Sequence, residues 1–118
     1  MITADRAAQI AAEWIAAWNA HDLEAILSHY ADDVEFTSPL VVQRLKRPDG
    51  TLHSKAELRG YFALGIGPGS SLRFELLDML PGVASVTLYY RNHRGQTVAE
   101  MMMLDDDNRI IKAVVHYH

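Results

Sequence analysis

Between Glu13 and Pro39 the chain reads EWIAAWNAHDLEAILSHYADDVEFTSP, and within this stretch the spacing of apolar residues falls from a helical period to a strand period. A helix, a sharp turn, a second short helix and a strand must follow one another with almost no linker. Two helices therefore meet at a corner beside the start of a sheet, an arrangement that leaves little freedom for the rest of the fold.

The individual signals are legible. Thr3 is placed to cap the first helix and Asp5 lies in its first turn, where a negative charge suits the helix dipole. Ala7, Ala11 and Ile15 form one line at four-residue spacing, and Ile10, Trp14 and Trp18 form the adjoining one. Asn19-Ala20-His21-Asp22 ends this helix, and Asp22 is positioned to cap the second, with Leu23, Ile26, Leu27 and Tyr30 on its buried side. After Ala31-Asp32-Asp33, alternation puts Val34, Phe36 and Ser38 on one strand face and Glu35 and Thr37 on the other, until Pro39 stops the strand.

Leu40 to Leu52 reads as the longest irregular connection, and its apolar start, Leu40-Val41-Val42, suits a partial lid over a pocket mouth. Ser54-Lys55-Ala56-Glu57 is a capping box, which starts a third helix at Lys55. That helix runs to about Leu64, presents Leu58, Tyr61, Phe62 and Leu64, and is ended by Gly65, Gly67, Pro68 and Gly69. Strands are expected over Leu72 to Leu80, Val83 to Asn92, Thr97 to Leu104 and Arg109 to His118. Their short links make neighbours antiparallel. The class is α+β, with three N-terminal helices packed on a curved, mainly antiparallel sheet.

Composition bounds the function. With 118 residues, 49% of them apolar, the chain buries roughly two-thirds of its unfolded surface, enough for one domain over 1–118 with a modest cavity. There is no cysteine, so thiol nucleophiles and thiolate metal sites are excluded. The first twenty residues resemble neither a signal peptide nor a membrane span, and a cytoplasmic location without membrane association is the expectation. A net charge of −4 argues against nucleic acid, and Arg44, Lys46 and Arg47 read as a solvated loop beside the Pro48-Asp49-Gly50 turn. His116 and His118 share a strand face without a third ligand at suitable spacing, so no metal is expected. No phosphate loop or nucleophile elbow is present, and no cofactor is expected.

Strand parity locates the chemistry. Lys112 should face water, which turns Ile111, Ala113, Val115 and Tyr117 to the concave face and leaves His116 and His118 outside. Placing Leu104 and Met102 inward brings Glu100 inward with them. In Val83 to Asn92, one register puts Thr87, Tyr89 and Arg91 inside, where Arg91 pairs with Glu100, and a one-residue slip selects Val86, Leu88 and Tyr90 instead.

The Glu13 to Pro39 run, the third helix and the four following strands resemble the nuclear-transport-factor-2-like superfamily, which includes the SnoaL-like polyketide cyclases and the ketosteroid isomerases. The resemblance implies a cone-shaped single domain with a cavity, and a homodimer through the outer sheet face. Its chemistry varies widely from member to member. In ketosteroid isomerases a first-helix tyrosine, an aspartate before proline and a second acid on a later strand carry the reaction; by motif match these fall at Trp14, Ser38 and Glu100. Trp14 lacks the acidity of a phenol and Ser38 has no useful basicity, so steroid-type isomerisation is not expected.

Glu100 and Tyr30 are thus the candidate catalytic pair, Tyr30 standing where some isomerases keep a supporting tyrosine. Trp14, Trp18, Phe36, Ser38, Phe62, Tyr89, Arg91, Met102, Val115 and Tyr117 are the candidate binding surface. Two functional classes follow. One is a cofactor-free acid-base enzyme of the isomerase, lyase or cyclase type acting on a compact apolar molecule. The other is a ligand-binding or dimerisation module that keeps the cavity without catalysis.

Overall fold

A side-chain cap sets the start of each helix. In the computed structural model, which describes residues 1–118, Thr3 Oγ1 accepts the Arg6 N–H at 3.1 Å and opens α1 (Ala4–Asn19). Asp22 accepts the Ala25 N–H at 3.1 Å and opens α2 (Leu23–Leu27). Ser38 Oγ accepts the Leu40 N–H at 3.2 Å at the head of α3 (Pro39–Leu45), and Ser54 Oγ accepts the Glu57 N–H at 3.2 Å at the head of α4 (Lys55–Gly65). No helix is long and apolar enough to cross a membrane.

The strands are β1 (Tyr30–Thr37), β2 (Thr51–His53), β3 (Glu75–Pro81), β4 (Ser85–Arg91), β5 (Thr97–Leu104) and β6 (Ile110–Tyr117). They form one sheet in the order β2-β1-β6-β5-β4-β3, in which only the β1–β6 pair is parallel. The helices cover one face of the sheet. Ala7, Ile10, Ala11, Trp14, Ala17 and Trp18 form the buried stripe of α1 within a core of 25 residues, while Ile15 packs at its edge.

Three sequence expectations change. The Leu40 to Leu52 segment is not an irregular lid but carries α3 and β2, because Ser38 and Pro39 act as N-cap and first helical residue rather than only as a strand stop. Tyr30 opens β1 instead of closing the buried side of α2. Ile111 faces out at 37% exposure, since the β5–β6 register shifts between Met103 and Leu104 and hands the inward place to Ile110, which is 1% exposed.

The α3–β2 turn rests on Gly50. Its φ is +64°, and a Cβ there would stand 3.0 Å from the Ser38 carbonyl oxygen and 2.9 Å from Val42 Cγ2. Gly60, in the middle of α4, has open space where its Cβ would lie. Gly50→Ala is therefore expected to destabilise by more than about 1 kcal/mol and Gly60→Ala to stabilise by about 0.5–1 kcal/mol, opposite signs that urea denaturation of the two variants checks.

Candidate functional site

The concave face of the sheet and the helices over it enclose a chamber of about 530 Å³. Trp14 and Trp18 of α1 reach it because they fall one turn apart on the buried stripe. Phe36 comes from β1, Leu40 and Arg44 from α3, Tyr61 and Phe62 from α4, and Tyr90, Glu100, Val115 and Tyr117 from the inward positions of β4, β5 and β6. The α4–β3 connection, ending in Leu72 and Phe74, closes one side.

The wall is a continuous aromatic cluster. Trp14 stacks on Phe74 with centroids 5.7 Å apart, Phe74 lies 4.6 Å from Tyr90, and Trp18 meets the edge of Phe62 at 4.8 Å. Phe74 is held from the end of α1. The Asn19 amide accepts the Phe74 N–H at 2.7 Å and donates to the Phe74 carbonyl at 2.9 Å, and His21 Nε2 lies 2.8 Å from the Leu72 carbonyl oxygen.

Glu100 is the one carboxyl in this wall, 3% exposed and without a cation. Tyr90 Oη donates to its Oε1 at 2.8 Å, and Oε2 takes no protein hydrogen bond and remains open to the chamber. Burial pushes the Glu100 carboxyl up to about 7, with the Tyr90 hydrogen bond opposing the rise. The Tyr90 phenol is held well above its ordinary range by burial and by the Glu100 charge. The pair is thus a carboxyl that exchanges its proton near neutral pH and a phenol that stays protonated beside it.

Of the sequence-predicted residues, Glu100, Trp14, Trp18, Phe36, Phe62, Val115 and Tyr117 line the chamber. Tyr30 does not: it is fully buried, accepts a hydrogen bond from Trp14 Nε1 at 3.1 Å, and orients that indole. Burial first and the Glu100 charge second hold its phenol well above the usual range. Met102 is fully buried in the core between Val86 and Ala113, and Ser38 is 1% exposed with its hydroxyl engaged at the head of α3. Tyr89 and Arg91 lie on the opposite sheet face. Leu88 pairs directly with Glu100, which aligns Val86, Leu88 and Tyr90 with the chamber side and sends Tyr89 outward at 39% exposure. Arg91 pairs with Glu75 at 3.3 Å and has no contact with Glu100.

Tyr90, Tyr61, Phe74 and Arg44 complete the site beyond the candidate residues taken from sequence. For Tyr90 the signal was available: Val86, Leu88 and Tyr90 form the apolar alternate of β4, and burying them leaves the charge of Arg91 in water. Arg44 is not part of a solvated loop; α3 places it on the chamber rim, while Arg47 pairs with Glu57. His116 is exposed on the outer face, with Nδ1 3.3 Å from the Ala99 carbonyl oxygen.

Residues 11–110 match the family model of the SnoaL-like domain. The fold superposes with a TM-score of 0.92 on the crystal structure of a SnoaL-like protein of unknown function from Burkholderia thailandensis, which is 44% identical over 99% of this chain and 98% of that one. An NTF2-like protein of unknown function from Cytophaga hutchinsonii gives a TM-score of 0.72 at 16% identity, over 100% of this chain and 92% of that one, a likeness of fold alone. No curated protein matches the chain.

The buried Glu100 makes a thermodynamic prediction. Its folded carboxyl holds the proton more tightly, at about 7 against an ordinary 4.5, so folding takes up a proton between those values. Its effect on stability is neutral below that window, becomes more unfavourable as pH rises through it, and is constant above, at about 3 kcal/mol in full. Glu100→Gln is expected to gain stability relative to wild type on going from about pH 4 to pH 8, measured as the difference in unfolding free energy across that range. An identical pH dependence in both proteins contradicts the burial of an ionisable Glu100.

Proposed function

Because this chain belongs to the SnoaL-like domain family, we propose that its chamber binds a compact, largely apolar small molecule and that Glu100 moves a proton on it. The observation that carries this reading is the combination of a free Oε2, a carboxyl near 7 and an adjacent phenol, all at the aromatic wall of one cavity. A carboxylate of that basicity removes a proton from a carbon next to a carbonyl, or from a hydroxyl, and the resulting acid returns it at a second position. Such a transfer gives an isomerisation, an elimination or a ring closure within one cavity. Tyr90 occupies Oε1 and so directs exchange to Oε2. Trp14, steadied by Tyr30, and the Phe36, Phe62 and Phe74 rings exclude water from the reacting atoms.

The alternative is a ligand-binding module without turnover. It is favoured by Trp14 and by Ser38, whose hydroxyl is occupied at the head of α3 and cannot serve as a base. Assembly as a homodimer through the outer sheet face belongs to either reading. Leu80, Tyr89 and Met103 stand exposed on that face with the half-buried Met101 and Val114 between them, an apolar strip suited to a second copy.

A thermal-shift screen against hydrophobic ketones, lactones, epoxides and phenols is expected to identify stabilising ligands. For stabilising carbonyl compounds, NMR in deuterated water should reveal α-proton exchange that rises with an apparent pKa near 7. Glu100→Gln should slow that exchange by about 100-fold or more and keep ligand binding. Tyr90→Phe should shift the profile to higher pH by removing the hydrogen bond that favours the carboxylate. Binding without exchange above the Glu100→Gln level establishes the alternative, and the absence of any stabilising compound contradicts the chamber reading. Sedimentation equilibrium is expected to give a dimer that Leu80→Glu combined with Met103→Glu converts to a monomer.

A further inference from the structure

The chamber differs in charge between its mouth and its floor. At the floor are Glu100 and buried aromatic rings. At the rim, Arg44 projects from α3 and Arg94 from the β4–β5 turn, and both flank His93, whose protonation is disfavoured first by partial desolvation and then by Arg94 and Arg44. Arg44 also acts on the phenols of Tyr61 and Tyr117 just inside. The Arg94 backbone is fixed, since Asn92 Oδ1 accepts the N–H groups of Arg94 and Gln96, each at 3.0 Å. Five ion pairs occur in the structure, and neither rim arginine takes part in any of them.

This is an unusual place for unpaired cations. The chain has 15 acidic residues and a net charge of −4, yet apart from Glu100 no carboxylate lines the chamber. Two guanidinium groups gathered at one opening repel each other, and each presents a planar fork of donors that fits a carboxylate.

We propose that the ligand of the chamber is an organic carboxylate, its anionic group held at the rim by Arg44 and Arg94 and its apolar body laid along the aromatic wall toward Glu100. This rests on the reading of the chamber as a small-molecule site. Orientation follows from electrostatics. An anion at the floor would face the Glu100 charge in a poorly hydrated cavity, whereas at the rim it meets two cations and keeps part of its hydration. The atoms that exchange a proton with Glu100 then lie at the end of the molecule remote from the carboxylate.

The test uses matched pairs that differ only in charge: benzoate and benzamide, phenylacetate and phenylacetamide, cyclohexanecarboxylate and cyclohexanecarboxamide. Their affinities are measured by calorimetry near neutral pH, at low and high salt, for wild type, Arg44→Gln/Arg94→Gln and Arg91→Gln. Arg91→Gln removes one charge from the outer face and controls for net charge. At low salt the carboxylate of at least one pair is expected to bind about tenfold or more tightly than its amide. High salt and the double variant should each erase that preference with amide affinity unchanged, and Arg91→Gln should retain it. Amides that bind as well as carboxylates to wild type overturn the proposal and leave the chamber reading intact. A preference lost equally in Arg91→Gln also overturns it, as an effect of net charge. Failure of every pair to bind wild type overturns the proposal, while the chamber reading stands or falls with the thermal-shift screen.

Discussion

Everything at the chamber depends on α1 lying across the concave face of the sheet, with the Trp14 indole between Trp18, Phe74 and Tyr90. Burial of an aromatic side chain of this size removes about 150–250 Å² from water, worth about 4–6 kcal/mol as an upper bound for each tryptophan. No polar contact in the structure approaches that. The indole is also constrained in rotation, because its N–H is committed to Tyr30 Oη at 3.1 Å inside a fully buried site. The first residue of β1 thus fixes the orientation of an indole that lines the chamber. The far end of α1 extends the same control, through Asn19 and His21, to the connection that carries Phe74.

That packing makes Glu100 possible. A carboxyl 3% exposed and without a cation opposes folding whenever it is ionised, and the surrounding aromatic burial offsets the cost. The single Tyr90 hydrogen bond moderates the effect without abolishing it, leaving the group near 7. An arginine in place of that phenol would stabilise the carboxylate and remove its ability to take and return a proton at neutral pH. The placement of Arg91 on the other face therefore contributes to the raised proton affinity of Glu100. The same alternation that turns Tyr90 inward takes the nearest cation of β4 away to Glu75.

Much of this was legible in the chain. The caps at Thr3, Asp22 and Ser54, the stripe of α1 and the inward position of Glu100 all follow from spacing, because each is a local pattern with one physical solution. The failures were of two kinds. Ser38-Pro39 carries two meanings, a strand stop and a helix start, and the short α3 has too few residues for its period to decide between them. Register errors account for the rest. For β4 alternation allows either register, and the one that turns Tyr89 and Arg91 inward is overturned by the pairing of Leu88 with Glu100. Ile111 faces out because of a bulge between Ile110 and Lys112 in the pairing with β5, which alternation alone does not reveal. Tyr30 was correctly identified as buried, but its hydroxyl supports an indole, a contact across the fold that no spacing rule encodes.

The elements that hold the floor and those that form the rim are physically separate. Glu100, Tyr90 and the indoles sit on long strands and on α1, where a change in volume propagates through the core. Arg44 stands on a helix of seven residues, and Arg94 on a hairpin turn whose Gly95 adopts φ +79°. Substitutions at the rim alter exposed side chains and leave the core register untouched. Glu100 and the two rim arginines can thus vary independently. The buried carboxyl of the floor is thus fixed by the packing of the core, whereas the charge at the rim is set by side chains that the core does not constrain.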